Sequence, residues 1–395
     1  MMVLKRWLGA FAAVAFLAAC SSTEGPTYAE LTNITPEVNG SVVWESKVGS
    51  GSEGHYSRLT PAIQDDVIYA ADRHGLVVAM NAANGNRIWT QRLGGRTGIL
   101  NRWFRGESAR ISGITAAGSL LFIGSENGTI TALNSDDGEV VWEQKVPGEV
   151  LAAPAVGEGR VISHLGSGYI VSLSARTGEL QWTHEEEVSL LSLRGVSQPV
   201  ISSGGVIFGT ATGKAVVLLS ATGQLAWEER LATPSGATEL ERLVDIDGSP
   251  LVIGGSFYMS AFNGELVSLD LRSGEAVWKQ NHGAWRSPVQ AGTRIALVNQ
   301  DSHLLSIDRS NGIELWRNTD LFNRSLTEPA VMGTYLVSGD RFGYVHWFNR
   351  TNGRLVGRLE LDEDVAIQGA VQVAGENLIV QDANGKIYAI SQQAR

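Results

Sequence analysis

One cysteine, Cys20, is all that 395 residues supply, so a domain lying after it has neither disulfides nor thiol chemistry of its own. Beyond the first twenty residues no apolar run is long enough to cross a bilayer as a helix. Basic residues are in deficit: once Lys5 and Arg6 are set aside, 29 stand against 41 acidic ones, a balance that excludes nucleic acid as a natural partner. There is no Gly-x-Ser-x-Gly elbow and no phosphate loop ending in Gly-Lys-Ser/Thr. The histidines, at 55, 74, 164, 184, 282, 303 and 346, follow no metal-ligand spacing. These absences argue against an enzyme and imply no metal and no cofactor.

What the chain does contain is a repeat. Trp44, Trp89, Trp142, Trp182, Trp227, Trp278 and Trp316 recur 38 to 53 residues apart. Five of them follow a leading glycine by fourteen residues and a second glycine by four, as in Gly75, Gly85 and Trp89. A sixth copy reads Ser302, Gly312, Trp316; a seventh keeps Gly343 and Gly353 but carries Gly357 at the tryptophan position; an eighth starts at Gly385 and stops at Arg395 before reaching its own. Eight marks at this interval have the period of propeller blades.

Within each copy residues alternate with period two and are rich in β-branched types, the pattern of strands. A phrase such as Asn134-Ser-Asp-Asp-Gly138 follows, in which Asn or Asp bonds its own backbone and Gly takes positive φ, closing a hairpin. The fourth copy has Leu219 at the polar position, and a distorted turn is expected there. Two further short strands precede each leading glycine, often opened by proline (Pro61, Pro154, Pro199, Pro288, Pro329). The fold class is therefore all-β: an eight-bladed β-propeller of four-stranded antiparallel blades. Each tryptophan is expected to be a wedge between blades. The orphan strand 41–48, carrying Trp44, should complete the last blade and close the ring.

The first residues are of another kind. Lys5 and Arg6 precede a short apolar run, and Leu17-Ala18-Ala19-Cys20 is the lipobox of bacterial lipoproteins. The expected organisation is a signal peptide over 1–19, a lipid-anchored polar tether over 20–40 and the propeller over 41–395. Ser21 after the cysteine implies, by the lipoprotein sorting rule, the outer membrane on its periplasmic side.

Two connections exceed the repeat. The first holds Arg96, Arg102, Arg105 and Arg110 around Trp103-Phe104, suited either to lipid or protein contact or to an extra hairpin. The second spans 233–250; before it, 188–195 puts leucines and an arginine where a polar loop would be usual.

The tryptophan phrase resembles that of pyrroloquinoline-quinone-dependent dehydrogenases, which usually carry two adjacent cysteines that this chain lacks. A quinone-dependent periplasmic dehydrogenase is thus the alternative. The more specific resemblance lies in Leu-Ser-Leu-Arg-Gly at 191–195, Thr-Glu-Leu-Glu-Arg-Leu-Val-Asp-Ile-Asp at 238–247, Leu-Asp-Leu-Arg-Ser-Gly at 269–274 and Tyr344-Val-His-Trp347. With these the chain resembles the BamB lipoproteins of the β-barrel assembly machinery over nearly its whole length. That resemblance implies a non-enzymatic scaffold assisting folding and insertion of β-barrel proteins. It also implies binding to the periplasmic domains of BamA, alongside other subunits; presenting strand edges to unfolded outer-membrane clients is the second way such a scaffold could assist. Carried over by position, it implies partner contacts at Leu191, Leu193, Arg194, Asp245 and Asp247. The bland readings stay open: core-facing strand residues for the leucines, a solvated charge for Arg194, turn formers beside Gly248 and Pro250 for the aspartates.

Overall fold

The computed structural model describes residues 27–395 except 53, 95–107, 190–194 and 239–240. Eight four-stranded antiparallel sheets are formed among them, seven of them simple meanders and the eighth completed by the N-terminal strand. Blades 1 to 7 occupy 62–92, 111–145, 155–185, 200–230, 251–280, 289–318 and 330–360. Burial explains why the pattern along the chain changes within a blade. In the first blade, Leu76–Asn81 is buried at its four central positions, because both faces of the sheet meet neighbouring blades. The outer strand Arg87–Arg92 alternates exposed and half-buried positions.

The tryptophans are the joints between blades. Each indole Nε1 donates to a backbone carbonyl in the outermost turn of the following blade: Trp44 to Ala82, Trp89 to Ser135, Trp142 to Ala175, Trp182 to Ser220, Trp227 to Leu271, Trp278 to Arg309 and Trp316 to Arg350, at 2.8–3.2 Å. The ring covers the second glycine of that turn. At Gly223, with φ +70°, a Cβ would lie 2.5 Å from Trp182, so glycine is needed both for its left-handed backbone and for the space it leaves. The turn of the fourth copy is a correction to expectation: it is not distorted by Leu219. The Leu219 amide donates to Gln224 and its carbonyl accepts from Gly223, both at 2.8 Å, the bonds Asn81 makes with Asn86 and Gly85 at 2.9 Å. Backbone bonds and the glycine carry that turn, and the polar side chain is dispensable.

Ring closure follows the orphan-strand expectation. Val38–Lys47 pairs antiparallel with Lys386–Ala394, from Val38 opposite Ala394 to Lys47 opposite Lys386, and becomes the outer strand of blade 8. Every blade carries an irregularity in register beside its tryptophan position, at Val42/Trp44 here and Ala79/Met80 in the first blade. Such a bulge tightens twist and turns the residue before the tryptophan outward. Val43, Ile88, Val141, Val277 and Leu315 are accordingly 44–58% exposed.

The seventh blade solves its missing tryptophan across the strand pair. Trp347, fully buried, stands opposite Gly357, and its ring lies against Gly40 of the closing strand. Its Nε1 donates to Gln392 Oε1 at 3.0 Å. A Cβ at Gly357 would sit 2.7 Å from Val38 Cγ1, so the absent indole is what admits the N-terminal chain.

A meander places the turn between second and third strands, and the connection to the next blade, on one face of the ring. All the long connections therefore share that face, here called the linker face.

Candidate functional site

Of the five residues carried over from the family, Leu191, Leu193 and Arg194 lie outside the described residues, as do Trp103, Phe104 and the arginines beside them except Arg110. The chain just after Arg194 is tied down on both sides. Ser197 Oγ donates to the Gly248 carbonyl at 2.9 Å, joining the connection between blades 3 and 4 to the one between blades 4 and 5. The Ser197 carbonyl accepts from His164 Nδ1 at 3.2 Å, and burial holds that imidazole near 4, hence neutral.

Asp245 and Asp247 are buried, 1% and 5% exposed. Their segment is inlaid between blades. Ile246 N donates to the Thr210 carbonyl at 3.2 Å and its side chain fills the space over Gly209; Phe262 N donates to the Asp245 carbonyl at 2.9 Å. Gly195 lies against Asp247, where a Cβ would come within 2.6 Å of Oδ2. The structure thus brings Gly195, just after the first loop, onto the Asp247 carboxyl group of the second.

Asp247 also faces the axis of the ring. A cavity of about 480 Å³ runs there, lined from opposite sides of the ring by residues such as Ile63, Ser249 and Glu328. Its mouth on the linker face holds a charge cluster that the sequence did not disclose. Glu328 Oε1 accepts from Arg58 Nη2 at 2.8 Å and Oε2 from Arg286 Nη1 at 3.2 Å. Arg286 lies over the Trp285 ring at 4.2 Å and Arg58 at 5.7 Å, with Tyr56 tilted against it at 6.2 Å. Burial alone would raise the Glu328 carboxyl, yet the two guanidinium groups outweigh it and hold the value near 2. The one signal in the sequence is positional: Arg58, Asp247, Arg286 and Glu328 stand one to three residues before the proline that opens the next blade.

Burial pushes Asp247 the other way, to about 7, with Arg58 opposing and Asp245 adding to the rise. A folded value above the ordinary 3.8 favours the protonated form in the fold, so its contribution is complete below 3.8 and is lost as pH rises through 7. Asp247→Asn is expected to stabilise the protein at pH 8 by about 2 kcal/mol, roughly half the full linkage value because the carboxyl lines a cavity that water enters. The gain should be small at pH 4. Denaturation midpoints at the two pH values check this; a difference independent of pH contradicts it.

Among the described residues no group of three or more His, Cys, Asp or Glu side chains converges as a metal site would require. The channel cluster joins two arginines to the one carboxylate of Glu328. Such a set pins loops; it presents no nucleophile paired with a base.

A family model described as "Outer membrane protein assembly factor BamB" matches residues 29–101, 101–318 and 306–395. The chain is similar to the outer membrane protein assembly factor BamB of Yersinia pestis, 37% identical over 396 residues, covering 99% of this chain and all of that one. Among solved structures it is similar to the crystal structure of BamB from Moraxella catarrhalis, with TM-score 0.78, 25% identity and coverage of 89% and 99%. The quinohemoprotein alcohol dehydrogenase of Comamonas testosteroni has TM-score 0.67 at 14% identity, covering 93% of this chain and 79% of that one, a likeness of fold alone.

Proposed function

Because the chain belongs to the BamB family of outer membrane protein assembly factors, we propose that it is a non-enzymatic scaffold whose linker face binds the periplasmic domains of BamA. It acts at the outer membrane, held on the periplasmic side by lipid on Cys20, and serves the machinery by binding and orienting other subunits. The quinone-dependent reading shares the ring of blades and nothing more specific.

The observation that carries the interface is the contact between the two connections. Gly195 packs on Asp247 and Ser197 is bonded to Gly248, so the segment that follows the leucine-arginine phrase is fastened to the aspartate segment. Leu191 and Leu193 supply apolar area to this contact and Arg194 its direction. Asp245 and Asp247, being buried, serve it from below by fixing the backbone that presents it.

Capture of BamA by lipid-free protein tests the reading. Leu193→Ala and Arg194→Glu are each expected to weaken capture about 30-fold, the scale of an interface hot spot of about 2 kcal/mol. Asp245→Ala should weaken it too, and its unfolding midpoint separates lost docking from lost folding. Unchanged capture by all three variants would refute the assignment.

A further inference from the structure

Residues 27–38 have the composition of a free tether, yet the structure stitches them to blades 6 and 7. Ala29 N donates to the Phe322 carbonyl at 2.9 Å and Glu37 N to the Val356 carbonyl at 2.8 Å. Asn323 Nδ2 donates to the Thr27 carbonyl at 2.9 Å, and Arg324 and Arg358 donate to the Ala29 and Thr32 carbonyls, both at 3.2 Å. Leu31 and Ile34 pack on the core cluster containing Leu326, Phe348 and Leu355. The base of this seat is rigid: Arg324 Nε is 2.7 Å from Asp340 Oδ2, which also accepts from buried His346 at 3.0 Å. At the far end Val38 fills the room left by Gly357.

The near end emerges on the linker face. Tyr28 lies 4.7 Å from Phe342, which belongs to the turn between the second and third strands of blade 7, and Arg341 lies over Tyr28 at 5.2 Å. Phe322, in the connection leading into that blade, is 37% exposed and Tyr28 46%. Only six residues, 21–26, separate Thr27 from Cys20, the proposed lipid-bearing position, a reach of roughly 25 Å at most. Tyrosine, phenylalanine and arginine around a short lipid-bearing lead are the composition of a membrane–water boundary, where amphipathic rings settle at headgroup level. Arg341 lies over both Tyr28 and Phe342, so it is the ring contacts that define this patch.

We propose that residues 27–38 are a docked strap that brings the lipid anchor out on the linker face between blades 6 and 7, and that Tyr28, Phe322, Arg341 and Phe342 rest on the phospholipid surface there. The inference relies on lipidation of Cys20. It gives the ring a defined tilt: one edge of the linker face lies at the membrane, while the connections at blades 3 to 5 on the same face stand away from it.

The test uses the full-length lipidated protein in phosphatidylcholine vesicles doped with a headgroup-quencher lipid. A fluorophore is placed on a single introduced cysteine, since Cys20 is the only native one and is blocked by lipid. Ser325→Cys labels the linker face beside the strap, and Thr351→Cys labels the opposite face of blade 7. Quenching is expected to be severalfold stronger at 325 than at 351. The pair Tyr28→Ser with Phe342→Ser should erase that difference without moving the unfolding midpoint. Equal quenching at both positions, or a difference that survives the pair, overturns the proposal. The mass of the N-terminal peptide is read on the same sample. An unmodified Cys20 refutes the anchor reading and the strap's role with it, whereas a lipidated Cys20 with equal quenching refutes the strap's role alone.

Discussion

Glu328→Ala is expected to lower unfolding free energy by about 3–5 kcal/mol, the cost of leaving buried charge without its partner. Glu328 is 9% exposed and Arg286 2%, and two guanidinium groups depend on the one carboxylate. Those groups come from connections into blades 1 and 6, while Glu328 leads into blade 7, so the loss also loosens the mouth of the channel. Glu328→Gln keeps the shape and some hydrogen bonding and should cost less, which separates charge from packing. The folded value near 2 lies below the ordinary 4.5, so Glu328 stabilises fully above 4.5 and the contribution disappears as pH falls through 2. Urea midpoints at neutral pH measure the effect; a loss below about 1 kcal/mol would show that the cluster is solvated and marginal.

A second large effect belongs to the joints. Trp182 is 9% exposed, packs within the cluster of Ile162, Phe208 and Leu218, and donates to the Ser220 carbonyl at 2.9 Å. Trp182→Ala should cost about 3–5 kcal/mol through lost burial and the cavity left between blades 3 and 4. Trp182→Phe keeps much of the area and forfeits the donor, a loss nearer 1 kcal/mol. Gly223→Ala attacks the same joint from the other side, since its Cβ meets the indole at 2.5 Å and its φ is +70°. Denaturant unfolding of the three variants checks the order; a Trp182→Ala protein as stable as the parent would mean that the tryptophans are not the joints.

The joints are legible in sequence because their physics is local and repeated. An indole set on the turn glycine of the next blade recurs at seven of the eight places where blades meet, and the strand carrying Trp44 is missing from only one place. The exceptions need three dimensions. Gly357 marks a lost indole, but nothing in its own segment says that Trp347 replaces it from the adjacent strand or that Val38 occupies the gap. Leu219 breaks a side-chain rule that the backbone of the turn does not need.

The site is legible in part. Loop length and composition point to the connections at 186–199 and 231–250, and the fold joins them through Ser197 and Gly248. That Asp245 and Asp247 lie under the surface cannot be read from charge alone, because a carboxylate beside Gly248 and Pro250 has the look of a solvated turn. The channel cluster is hidden for another reason. Arg58 and Glu328 are 270 residues apart in sequence, and only a closed ring makes them neighbours. Residues 27–37 read as tether because their polar composition masks Leu31 and Ile34, two apolar anchors that matter only once blades 6 and 7 offer them a seat.

The proposed contact between the leucine-arginine phrase and BamA can be tested in cells, by a photocrosslinking residue at position 193 with one at Ser273, on the face opposite the blade connections, as control. A crosslink from 193 to the periplasmic part of BamA, and none from 273, is the expected outcome. A protein that is exported and folded yet crosslinks BamA from neither position, or from 273 alone, would place the interface elsewhere and overturn the proposed role of the loop.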